Sequence, residues 1–181
     1  FFIIYFFTGF SVVDDYGISI DEEFQRYSGF YWLSYVLKFL PFDQLRSEVL
    51  IKLNDIGGFT LPNPIDYPFY GVAFDLPLAF IETIFNIIES KDYFILRHKI
   101  TFLIFFISSI FFFKTLKLRF NNRIIIFLGV LLYIGSPRIF GDSFFNNKDL
   151  IFLSLVTITF YYYLKLVINL NYKNIILFSL F

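Results

Sequence analysis

Three stretches of this chain, 100–113, 124–137 and 150–164, run for fourteen or fifteen residues without a charged side chain. Runs of this kind restrict the fold more than any other feature. Hydrocarbon offers no partner for backbone amides, so a segment that enters it must close its own hydrogen bonds as a helix. Each run is shorter than the ~20 residues a crossing requires. Lys99, Lys114, Arg123, Lys148 and Lys165 flank the runs and can lay their apolar stems in the hydrocarbon while the ammonium or guanidinium reaches the headgroups. Spans at 94–117, 122–140 and 149–166 are therefore expected. Hydrophobic residues make up 57% of the chain and aromatic ones 24%, too much for a water-soluble domain to hide. The predicted fold class is all-α, a polytopic transmembrane helix bundle.

Further apolar runs open and close the chain, at 1–13 and 175–181. With no methionine present, the expectation is an internal fragment, the N-terminal portion of a larger multi-span domain. The first run lacks a basic leader and an A-x-A-like cleavage site, so it reads as a clipped span rather than a signal peptide. The absence of cysteine excludes disulfides and thiolate metal sites. Lysine plus arginine equals aspartate plus glutamate at 15 each, so net charge draws no nucleic acid.

Hydropathy alone would make 71–90 another span, but Asp75, Glu82, Asn86 and Glu89 argue against it. At 100° per residue their spacing puts them within about 60° of arc on one helical face. Such a stripe is costly in lipid unless it faces a polar cavity. An amphipathic helix lying on the membrane surface is the cheaper reading. The distribution of basic residues agrees. If 71–90 lies flat, residues 14–93 form one long external loop, and the loop holding Lys114, Lys117, Arg119 and Arg123 falls in the cytoplasm. Inside the long loop, residues 24–40 read as an amphipathic helix stopped by Pro41. A second helix, capped by Asp43, covers 44–54 and ends at Gly57-Gly58. Pro62, Pro64 and Pro68 predict extended chain after it.

Two polar clusters border these spans. Asp21-Glu22-Glu23 opens the first external helix, where helix capping and the helix dipole would account for the acids without any chemistry. The short connection 136–149 mixes Arg138, Asp142, Asn146, Asn147, Lys148 and Asp149 close to the hydrocarbon. Asp149 again stands where a helix dipole favours a carboxylate. His98, the single histidine, follows Arg97 at the start of a span, and reads as a hydrogen-bonded interface residue more readily than as a metal ligand. Tyr70 belongs to an aromatic turn, Tyr67-Pro68-Phe69-Tyr70-Gly71.

This order of elements resembles the membrane glycosyltransferases of the C-type fold, above all the dolichyl-phosphate-mannose protein mannosyltransferase group and its bacterial relatives. The likeness rests on Asp21-Glu22 in the first loop, Tyr70-Gly71 ahead of an apolar helix, Arg97-His98 opening a span, and Ser136-Pro137-Arg138 through Asn146-Asn147-Lys148-Asp149. The resemblance implies sugar transfer from a polyprenyl-phosphate donor to an acceptor outside the cytoplasm, in a bacterial plasma membrane. It implies Asp21, Glu22 and Asp149 as catalytic carboxylates, with Arg138, Lys148, Asn147, Tyr70 and Arg97 touching substrate. A divalent metal held by Asp21, Asp149 or His98 is compatible with that chemistry. Asp14 and Asp15 compete with Asp21 for the first role, and Asp142 with Asp149 for the second. A transporter or channel fragment with an acid-lined pathway is the rival class, and a non-enzymatic membrane scaffold is a third.

Overall fold

The computed structural model describes residues 1–57, 61–67 and 71–180. Among these every regular element is helical: α1 Phe2–Val12, α2 Glu22–Leu37, α3 Asp43–Gly57, α4 Asp75–Ile84, α5 Ser90–Arg119, α6 Arg123–Gly135, α7 Pro137–Phe145, α8 Asp149–Ile168 and α9 Tyr172–Leu180. The chain divides into two compact units, one made of Phe1–Tyr16 with His98–Phe181, the other of Gly17–Arg97.

α5, which belongs to the first unit from His98 onward, and α8 are long and apolar enough to cross a membrane, and α6 with α7 makes a third candidate if the bent pair counts as one. At 1.5 Å per residue the twenty residues of α8 reach ~30 Å, the thickness of a hydrocarbon core, and the thirty of α5 overshoot it. The excess in α5 falls at its charged ends, where Lys91 and Asp92 begin it and Lys117 and Arg119 finish it. Rings fill the unit's core. Phe102 stacks on Phe144 with centroids 5.2 Å apart, Tyr16 lies 4.4 Å from the same Phe144, and Phe112 stacks on Tyr133 at 4.4 Å. Gly9 of α1 leaves the space that the ring of Phe102 occupies, and a methyl group there would overlap it. One polar seam crosses this packing: the Tyr133 hydroxyl sits 3.5 Å from Ser108 Oγ and 3.3 Å from Thr157 Oγ1, a tie between helices of the kind apolar surroundings favour.

The second unit has its own small core, Phe30, Leu33 and Leu37 of α2 against Val49 of α3 and Ala79 of α4. α2 stops at Leu37, short of the expected end at residue 40, with a turn between it and Pro41, and a short 3-10 turn at Pro64–Asp66 occupies part of the proline-rich stretch. At Gly29 the backbones of α2 and α4 nearly touch, since an added Cβ would lie 2.5 Å from the carbonyl oxygen of Asp75.

Two expectations need correction. Residues 71–90 do not form one long helix: α4 is only ten residues, and Asn86 ends the segment with a positive φ of 47°, a left-handed conformation that asparagine tolerates better than most residues. At ~15 Å it is too short to span. The connection 136–149, read as a loop from its polar density, is mostly helix. Pro137 sits in α7's first turn, where its missing N–H does no harm, and Phe144 is fully buried while Ile139 and Phe140 are half-buried.

Candidate functional site

Seven residues separate Asp75 from Glu82, two turns of α4, so both carboxylates leave the helix on one side. That side faces neither lipid nor water. Glu82 is wholly buried and accepts from two guanidinium groups, Arg26 Nε of α2 at 2.8 Å and Arg97 Nε of α5 at 2.9 Å. Arg97 Nη1 donates to Asp75 Oδ1 at 2.7 Å. Arg26 also stacks on the ring of Tyr93, 3.5 Å from its centroid. From α3, Lys52 Nζ donates to the carbonyls of Glu82 and Ile87, at 2.8 and 3.1 Å, tying α3 to the last turn of α4 and the chain beyond it. Burial pushes the Asp75 carboxyl up to about 6, with Arg97 opposing the shift, and burial pushes the Lys52 ammonium down.

Beside this network opens a cleft of about 550 Å³, bordered by Glu23, Arg26, Glu48, Lys52, Asp55 and Tyr93. The sequence reading misses both features. A usable signal was Arg26, the one cation within the aromatic-rich helix α2, since a charge in such a setting needs a partner.

The expected catalytic pair sits at the mouth of α2 with its two members in different surroundings. Asp21 is exposed in the N-cap position, where its side chain makes no capping bond. Glu22 is buried and accepts the Ser19 amide at 2.8 Å. Arg97 is 1% exposed and engaged with the two carboxylates of α4. Tyr70 lies outside the described residues.

The remaining expected residues belong to the other unit. Lys148 and Asp149 are exposed at the start of α8, and Asn147 is buried just before them. Asp149 has a local duty: Asn146 Oδ1 accepts its amide at 2.9 Å while Asn146 Nδ2 donates to its carboxylate at 3.2 Å, a reciprocal cap on the helix. Arg138 reaches Asp142 at 3.7 Å on one exposed helical turn, a weak pair. His98 is buried. Among the described residues no group of three or more histidine, aspartate or glutamate side chains could hold a metal ion.

No protein-family model, curated protein or solved structure matches this chain.

Proposed function

We propose that this chain is part of a membrane glycosyltransferase that moves a sugar from a polyprenyl-phosphate donor to an acceptor on the extracytoplasmic side of a bacterial plasma membrane. The observation that carries the reading is Asp21. It is an exposed carboxylate whose neighbour Glu22 is buried and whose helix is pinned one turn later by Arg26 in the buried charge network. A base that must meet a substrate needs this combination of an open side chain on an anchored backbone.

In the proposed reaction the acceptor hydroxyl gives its proton to the Asp21 carboxylate as its oxygen bonds the anomeric carbon. The bond from that carbon to the phosphate oxygen breaks, and the electron pair leaves with the polyprenyl phosphate. The departing phosphate requires positive charge in the site, the sign that Arg or Lys side chains carry. The exposed apolar side chains Phe80, Ile84, Phe85 and Ile88 support a surface-lying α4 region, with lipid on one side and the ion network on the other.

The rival transporter reading needs residues 71–90 to cross the bilayer with their acids lining water. The length of α4 and the pairing of Asp75 and Glu82 with arginines weigh against it.

The test uses the full chain in native membranes, supplied with radiolabelled hexosyl polyprenyl phosphate, and follows label from the organic-soluble donor into product. Asp21→Asn should lower transfer by at least about a hundredfold, the usual worth of a general base, with membrane insertion unchanged. Asp149→Asn should also lose transfer, whereas Asp14→Asn should keep it. Wild-type rates in both the Asp21 and Asp149 variants would refute the reading.

A further inference from the structure

A second groove, of about 500 Å³, lies in the unit of candidate spans where α5 and α8 end and α9 begins. Its charge has one sign. Lys114, Lys165 and Lys173 line it, and among the described residues no carboxylate does. The ammonium groups of Lys114 and Lys165 each lie 5.9 Å from the ring of the same Tyr161, so two like charges converge on one aromatic side chain. Cations gathered without counter-charge repel each other unless an anion enters between them.

The groove is also built rather than incidental. Asn174 Nδ2 donates to the carbonyls of Lys165 and Asn169, at 3.2 and 2.8 Å, and the Asn174 amide donates to Asn171 Oδ1 at 2.8 Å. These bonds fix the turn between α8 and α9, and with it the placing of Lys165 and Lys173. Leu118, Ile168 and Leu177 form apolar walls, and Val167 is exposed nearby. α5 and α8 are both candidate spans, so their shared ends belong at the depth where hydrocarbon gives way to headgroups.

We propose that this groove seats the phosphate of an anionic membrane lipid, with the acyl chains running along the apolar walls. A free phosphate ion would share the lysine chemistry but would have no use for leucine and isoleucine. The inference rests on the membrane reading and not on sugar transfer, so the two fail separately.

The probe is spin-labelled phosphatidylglycerol against spin-labelled phosphatidylcholine, with the full chain in phosphatidylcholine nanodiscs and the immobilised lipid fraction read by electron paramagnetic resonance. Wild type should hold phosphatidylglycerol preferentially. Each of Lys114→Gln, Lys165→Gln and Lys173→Gln should lower that preference about fivefold, the worth of one cation at an anionic surface. Lys38→Gln, on an exposed lysine of the other unit, should leave it intact. Equal binding of the two lipids by wild type, or no loss in any of the three variants, would overturn the proposal. So would full displacement by inorganic phosphate but not by chloride of equal ionic strength, since that would make the ligand a soluble anion.

Discussion

Replacing Glu82 with glutamine removes the charge on which Arg26 and Arg97 both converge. All three side chains are at most 8% exposed, so water cannot compensate the guanidinium groups left behind. Removing one partner of a buried ion pair costs about 3–5 kcal/mol, far more than the pair contributes relative to an apolar replacement. Glutamine can still accept one hydrogen bond, which puts the expected loss near the lower end. About 3 kcal/mol corresponds to roughly a hundredfold in an opening equilibrium. Native-state hydrogen exchange on the detergent-solubilised protein should therefore show α2 and α4 amides exchanging about two orders of magnitude faster in Glu82→Gln, with α8 unaffected. A second variant separates lost charge from lost packing: Arg26→Met, Asp75→Asn, Glu82→Leu and Arg97→Met together remove the four charges of the network and should recover much of the protection. Unchanged exchange in Glu82→Gln would show that the network does not hold these helices together, and the argument from burial would be wrong.

Asp75 gives a pH signature of its own. A carboxyl that ionises less readily folded than unfolded holds its proton more tightly in the native state, so its contribution favours folding below about 3.8 and is lost as pH rises through about 6. Asp75→Asn should abolish that component of the pH dependence of α2 and α4 exchange protection, and an identical pH profile in wild type and variant would contradict the shift. Gly29→Ala should force α2 away from the Asp75 backbone, with an overpacking loss of about 1–3 kcal/mol in the same exchange measurement.

The parts of this fold that local chemistry determines were readable from the chain. Charge-free runs gave α5, α6 and α8 to within a few residues at most ends, and Pro41 with Asp43 marked the passage from α2 to α3. What escaped was set by partners far away in sequence. Nothing near Glu82 announces that its carboxylate will meet an arginine 56 positions earlier, and the acids of 71–90 looked like a water-facing stripe because their counter-charges lie on α2 and α5. The end of α4 depended on one left-handed residue, Asn86, against an apolar pattern that would have continued the helix. Polar density hid α7, whose proline start and buried Phe144 were the better guides. At the candidate site, the sequence pointed to Asp21 and Glu22 as a pair, but only packing separates an open carboxylate from a buried one.

If α6 and α7 cross as one span, the 55° break between them would alter the barrier that the bilayer itself presents. With α6 upright, its thirteen residues climb ~20 Å and the tilted α7 adds ~8 Å, which together only just match the oily layer. The kink at Ser136-Pro137 then falls inside that layer, roughly a third of the way in from one face. Carbonyls freed by the break, together with Arg138 and Asp142 just beyond it, would draw water and headgroups down to their level. On this flank a bilayer crossed by the bent pair would be locally thinned, its headgroups drawn below the depth at which they ordinarily stop.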